Sequence, residues 1–214
     1  MIGDRSLAID DISKYLERKP TDVGAYTLRG KQYVAVKNYK FAVFDFSEVI
    51  RLAPNSASAY LERAKSYLLS DDPDLAISDL NRVIRDNPKE CDAYFYRGRA
   101  HINKSSYELA IADLGAAIQL CPTRAANSFL NRGVIYLDRG NLDLAILDFS
   151  KAIELEPKAA VGYHNRALSY ESKKESDKAI ADLTKAIELE PNGVRHLKRG
   201  DLYFDKKDYA LAVN

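Results

Sequence analysis

Between Ala126 and Pro157 the apolar positions follow a helical period twice, with a break between the two runs. Phe129, Arg132, Gly133 and Tyr136 recur at i, i+3, i+4 and i+7, which places them on one side of a first helix. Asp138-Arg139-Gly140-Asn141 interrupts the pattern with turn residues, glycine being the residue that enters positive φ cheaply. A second helix follows, with Ala145, Phe149, Ala152 and Ile153 on its apolar side. Pro157 ends it, because proline cannot extend a helix from inside. The stretch predicts a helical hairpin with one apolar face, too small to bury that face alone.

Neighbouring segments repeat the hairpin. Prolines stand at Pro20, Pro54, Pro88, Pro122, Pro157 and Pro191, each 34 or 35 residues from the last, and only Pro73 lies off this grid, in a predicted turn. Alanine recurs at Ala8, Ala42, Ala76, Ala110, Ala145, Ala179 and Ala212. A small residue holds one first-helix column, at Gly30, Ala64, Gly98, Gly133, Ala167 and Gly200. Two facing columns of small residues let the helices of a hairpin approach closely. Aromatic columns flank them, at Tyr26, Tyr60, Tyr94, Phe129 and Tyr163 and at Tyr33, Tyr67, Tyr136, Tyr170 and Tyr203.

A period near 34 with these columns resembles the tetratricopeptide repeat, TPR, over nearly the whole chain. One first-helix column carries arginine where the common family pattern has leucine, a variant shared by many members. The resemblance implies an all-α fold, a right-handed superhelical α-solenoid of helix-turn-helix hairpins. The chain then reads as a single solenoid over 1–214. Residues 4–20 are a lone second helix, with Leu7, Ala8, Ile12, Tyr15 and Leu16 on second-helix columns. Full repeats span 23–54, 57–88, 91–122, 126–157 and 160–191, and 193–214 is a partial repeat whose second helix begins at Tyr209. Both ends read as cut through a repeat. That leaves two expectations: a fragment of a longer protein, or exposed end helices that stack head to tail, a contact that can run on into a filament.

One polar pair recurs as regularly as the alanines. Arg29, Arg63, Arg97, Arg132, Arg166 and Arg199 hold one first-helix column; Asp11, Asp45, Asp79, Asp113, Asp148 and Asp182 hold one second-helix column. Constant spacing predicts structural ion pairs rather than an anion-binding row, and a forked guanidinium orients as well as attracts. Pairing within each hairpin is expected, as Arg29 with Asp45, with pairing across the joint left open. Within-hairpin pairing leaves Asp11 and Arg199 single.

Charge and chemistry narrow the function. Basic and acidic residues number 32 and 31, a net charge of +1, which argues against a nucleic-acid surface. No apolar run approaches a membrane span, and no signal-peptide core follows Met1, so a cytoplasmic chain is expected; a targeting segment on a longer parent would not show. No phosphate loop, paired-histidine helix or nucleophile elbow appears, so neither catalysis nor a cofactor or metal is expected. Cys91 and Cys121 are expected as inert thiols, His101 and His196 as packing variants, and His164 as an exposed residue.

Function then falls to a surface. The resemblance implies that first helices line a concave groove. Carried over, the groove residues are Lys31, Leu61, Lys65, Phe95, Tyr96, Arg99, Leu130, Asn131 and Val134. Lys31, Lys65 and Arg99 form a basic row beside the apolar patch of Leu61, Phe95, Tyr96, Leu130 and Val134, while Asp138, Glu171, Asp201 and Asp205 turn the far end acidic. The layout suits an extended peptide with an acidic portion and apolar anchors. Family members that clamp a chaperone's terminal carboxylate need lysine and asparagine at places where this chain has Thr27, Lys31, Glu62, Asp92 and Tyr96, so that ligand is disfavoured. The leading expectation is a non-enzymatic protein-interaction scaffold. The alternatives are a structural, self-assembling spacer and the arm of a larger multidomain enzyme.

Overall fold

The computed structural model describes residues 2–206, and side chains from Arg5 onward. The expected second helix from Tyr209, with Ala212, lies outside the described residues. The rest is helical: α1 (Ile2–Arg18), α2 (Val23–Ala35), α3 (Tyr39–Leu52), α4 (Ala57–Leu69), α5 (Pro73–Asp86), α6 (Cys91–Asn103), α7 (Tyr107–Leu120), a 3₁₀ turn (Pro122–Arg124), α8 (Ala126–Asp138), α9 (Leu142–Leu155), α10 (Ala160–Ser172), α11 (Ser176–Leu189) and α12 (Gly193–Asp205). The grid prolines each stand two residues past a second helix, where the missing N–H costs nothing. Pro73, expected in a turn, is instead the first residue of α5, a position that suits its fixed φ. Asp22, Ser56 and Asn192 cap α2, α4 and α12 by accepting from the N–H groups of Ala25, Ala59 and Val194.

The turn inside every hairpin puts one residue in the left-handed region: Lys37, Asp71, Ser105, Gly140 and Lys174, with φ between 55° and 74°. Four of the five are not glycine. A non-glycine residue there carries steric strain, and the N–H of the next residue closes each turn by donating to a carbonyl of the first helix, as Asn38 does to Tyr33 at 2.8 Å.

The chain forms two compact units, residues 1–113 and 114–214. In the first, α2 packs on α3 and α4 on α5, and α3 meets α4 as α5 meets α6. Ala64, Ala76, Leu80, Val83 and Ala93 make a buried cluster there. In the second, α8 packs on α9 and α10 on α11, and α9 meets α10 as α11 meets α12. Ala167, Ala179, Ile180, Leu183 and Leu202 form its cluster.

Residue sizes across the small columns are matched. A Cβ on Gly30 would stand 3.0 Å from the Phe46 ring, and one on Gly133 would stand 2.7 Å from Phe149. Where the first helix has Ala64 or Ala167, the second has the smaller Leu80 or Leu183 in the same cluster. Glycine therefore accompanies phenylalanine and alanine accompanies leucine in these four hairpins, which keeps the interior filled without overlap.

Candidate functional site

The first helices present two sides with different chemistry. On the inner side, five arginines each grip the aspartate of their own hairpin through two bonds. Arg29 donates from Nε and Nη2 to Asp45 at 2.9 and 2.7 Å, and Arg63 to Asp79 at 2.8 and 2.8 Å. Arg97 does the same to Asp113 at 2.8 and 2.6 Å, Arg132 to Asp148 at 2.8 and 2.8 Å, and Arg166 to Asp182 at 2.7 and 2.8 Å. Pairing is thus within the hairpin. Burial pushes the Asp45 carboxyl up, while the Arg29 bonds pull it down; in the other direction, the bonds from Asp45 hold Arg29 charged.

The remaining guanidinium nitrogen reaches across the joint. Nη1 of Arg29 donates to Ser13 at 2.9 Å, of Arg63 to Ser47 at 3.0 Å, of Arg97 to Asn81 at 2.7 Å and of Arg166 to Ser150 at 3.0 Å. Arg199 reaches Thr184 at 3.2 Å. A second polar column thus lies two residues after the aspartates: Ser13, Ser47, Asn81, Gly115, Ser150 and Thr184. Sequence reasoning passed over it, because its members are small polar residues of mixed type that read as surface. Arg29, Arg63, Arg132 and Arg166 also lie between two aromatic rings, and Arg97 lies over one, Tyr94. Arg63 is 5.7 Å from the centroids of both Tyr60 and Tyr67, and Arg132 is 5.7 Å from Phe129 and 5.9 Å from Tyr136. One arginine thereby joins two helices of its own hairpin to the second helix of the hairpin before it.

The opposite side carries the expected groove residues. In the first unit, Lys31 stands exposed on α2 and Arg99 exposed on α6, and neither has an ion-pair partner among the described residues. Lys65 on α4 differs: its Nζ is 2.8 Å from Glu62 Oε1 and 5.0 Å from the centroid of the Tyr96 ring. Burial pulls the Lys65 ammonium down, and Glu62 more than restores it. Phe95 and Tyr96 meet edge to face at 5.1 Å. Leu61 and Tyr96 pack against the buried cluster of this unit, so they serve the core as well as the surface. In the second unit, Leu130 and Asn131 are half-buried on α8 and Val134 is exposed, with Asn131 Nδ2 donating to the Asn127 carbonyl at 2.7 Å. Glu171, counted at the acidic end, is held by Lys198 at 3.3 Å.

Three smaller expectations are corrected. Cys91 and Cys121 are not free thiols; both are disulfide-bonded. Glu90, Cys91 and Asp92 cluster closely enough to suggest metal ligands, but a disulfide sulfur offers no thiolate. His164 is half-buried rather than exposed, and burial, with Arg195 and Lys198 nearby, pushes its pKa down. His196 is exposed rather than packed. His101 does stand in its tyrosine column, with Nε2 3.7 Å from Asp113. Among the described residues no helix is long and apolar enough to cross a membrane.

Solved structures place this architecture. MamA is 26% identical, with a TM-score of 0.68 over 78% of this chain and 91% of that one. The C-terminal part of a TPR repeat-containing protein from Cytophaga hutchinsonii is 25% identical, with a TM-score of 0.73 over 86% of this chain and 73% of that one. YrrB, a TPR protein, is 21% identical, with a TM-score of 0.65 over 92% and 97% of the two chains. No curated protein sequence matches the chain. Two models of the tetratricopeptide repeat match its sequence, one at residues 126–159 and 160–192 and the other at 61–128. With more than half its length matched and its hairpins stacked as described, the chain belongs to the tetratricopeptide-repeat family, whose fold is a protein-interaction scaffold.

Proposed function

We propose that the protein is a non-catalytic scaffold that holds an extended partner segment on the open side of its first helices. In the first unit the contact residues are Lys31, Leu61, Lys65, Phe95, Tyr96 and Arg99; in the second they are Leu130, Asn131 and Val134. The observation that carries this reading is that Arg99, an exposed cation, shares α6 with the half-exposed aromatic pair Phe95 and Tyr96, while Lys31 on α2 is a second exposed cation. Exposed cations and exposed rings on these first helices suit a peptide with carboxylates and apolar anchors. Lys65 contributes less charge than the sequence suggests, since Glu62 already neutralises it. YrrB is described as having an unusual peptide-binding site, a property of that protein that agrees with a peptide ligand here.

The test is affinity for extended acidic peptides carrying aromatic or aliphatic anchors, read by fluorescence anisotropy. Lys31→Glu with Arg99→Glu is expected to weaken capture at least tenfold and to flatten its salt dependence, with helicity unchanged. Equal affinity in the reversed protein would remove the reading.

A further inference from the structure

The second helices carry a ladder of their own, and the hairpin of α2 and α3 departs from it. In each of the next four hairpins the second residue of the second helix is acidic: Asp74, Glu108, Asp143 and Asp177. Three of these acids receive the lysine that closes the first helix of the hairpin after them. Lys104 bonds Asp74, Lys173 bonds Asp143 at 2.5 Å, and Lys206 bonds Asp177. In α3 the same place holds Lys40, and the residue that would meet it, closing α4, is Ser70. Both members of the pair are changed. The Ser70 hydroxyl turns instead to the Tyr67 carbonyl and to Asp72, each at 3.1 Å. Lys40 is exposed and has no ion-pair partner among the described residues.

The apolar residues beside Lys40 differ as well. Lys40, Phe41 and Phe44 on α3 line a cleft of ≈ 350 Å³ with Arg29 and Tyr33 on α2. Phe41 stacks on Tyr33 at 5.2 Å, and Phe41 and Phe44 are 54% and 56% exposed. That exposure does not come from a missing neighbour: Leu75, at the place of Phe41 in α5, is 50% exposed with α4 and α6 both packed on α5. The place of Phe44 holds Ser78, Ala112, Leu147 and Ala181 in the later hairpins, so a lysine and two phenylalanines come together in α3 and in none of those. Arg29 lends no charge to a ligand, because Asp45 and Ser13 take its donors. Lys40 is the cation of this cleft that remains.

We infer that the cleft is a second docking site, taking an extended segment of a partner protein in which a carboxylate flanks an aromatic or long aliphatic side chain. The carboxylate pairs with Lys40, and the apolar side chain lies against Phe41 and Phe44. Charge decides the occupant. Where the stack fills this place from within, an acid on the second helix takes an amine; with lysine in place of the acid, the complementary group is a carboxylate. A lysine in the first turn of a helix also opposes the helix dipole, a local misfit that an incoming carboxylate corrects. The rings supply the anchor and the charge supplies the orientation. The site shares no residue with the groove proposed above, so the two readings stand or fall separately.

The probes are two fluorescein-labelled peptides with Gly-Ser flanks, one with the core Glu-Phe-Glu-Leu and the other with the core Lys-Phe-Lys-Leu. Each is titrated by anisotropy against the whole chain carrying Lys31→Glu and Arg99→Glu, so that the groove does not answer for the cleft. Saturable binding of the acidic peptide is expected, with the basic one at least tenfold weaker. Adding Lys40→Asp is expected to reverse that preference, and adding Phe44→Ser, which copies Ser78, to weaken the acidic peptide at least tenfold. Lys40→Asp with Ser70→Lys rebuilds the internal pair and is expected to bind neither peptide, with helicity unchanged. Lys40 and Phe44 are exposed, so their replacement does not threaten folding. No saturable binding of the acidic peptide, an unreversed preference in Lys40→Asp, or full affinity in Phe44→Ser would overturn the inference. So would binding to phosphatidylserine vesicles that Lys40→Asp abolishes, which gives the face to a membrane, or a dimer that it abolishes, which gives the face to a second copy.

Discussion

Arg97 and Arg99 stand two residues apart on α6 and do opposite things. Arg97 donates to Asp113 twice and to Asn81 once, and its guanidinium lies 5.5 Å from the Tyr94 ring centroid. Arg99 is exposed and unpaired among the described residues. The first belongs to a column that is arginine in every repeat. The second belongs to a column reading Lys31, Lys65, Arg99, Val134, Leu168 and Asp201. A residue that recurs in every hairpin meets the same neighbours in every hairpin, so its role is to hold the stack. A position that varies from hairpin to hairpin is free to match a ligand, which does not repeat.

The sharpest way to break this comparison is on the repeating side. Asp148→Ala strands the Arg132 guanidinium and is expected to cost about 3–5 kcal/mol, while an apolar replacement of both partners costs much less. Denaturant midpoints of the two variants check this, and equal losses would make the pair dispensable. Next is Gly133→Ala, whose Cβ would stand 2.7 Å from Phe149. A loss of about 1–3 kcal/mol is expected, recovered in large part by adding Phe149→Leu, which restores the pairing used at Ala64 and Leu80. Gly115 is the one place in the bridging column without a side-chain acceptor, and a Cβ there would lie 3.5 Å from Arg132 Nη1. Gly115→Ser is expected to stabilise by about 1 kcal/mol, through a new hydrogen bond and a better helix former; thermal melting reads it.

The smallest effect concerns pH. Burial, then Arg195 and Lys198, hold the His164 pKa below its usual 6.5, and burial does the same at His101 against the pull of Asp113. Because the folded values lie below the unfolded ones, this stability is fully present above about pH 6.5 and is lost as pH falls through the folded values. His101→Gln with His164→Gln is expected to reduce the loss of denaturant midpoint between about pH 7.5 and about pH 5.5. An unchanged loss would place the titration elsewhere.

Much of this was legible in the sequence, and for a physical reason. Columns of Ala, Gly, Tyr, Arg and Asp recur because each hairpin must bury the same face against the same neighbours, so period alone locates helices and ion pairs. The bridging column was not legible, because Ser, Asn and Thr all supply an acceptor and no single residue type repeats. Nor were the left-handed turn positions: glycine marks only the fourth, at Gly140, while Lys37, Asp71, Ser105 and Lys174 take the same conformation in turns closed by backbone hydrogen bonds. On the open side, spacing placed Lys65 in a basic row, but its neutralisation by Glu62 depends on rotamers that a period does not encode. The sulfur chemistry of Cys91 and Cys121 was not legible for a different reason: spacing sets them at the start and end of one hairpin, and the expectation of thiols rests on a reducing compartment that no residue pattern establishes.

The most direct test sets the two arginines of α6 against each other in one experiment. Arg97→Glu and Arg99→Glu are each measured for unfolding midpoint and for capture of an acidic peptide. The account predicts that Arg97→Glu lowers stability by several kcal/mol, about the cost of an unpaired buried carboxylate, whereas Arg99→Glu leaves stability unchanged and loses the peptide. Equal stability losses in the two variants, or undiminished capture by Arg99→Glu, would contradict it.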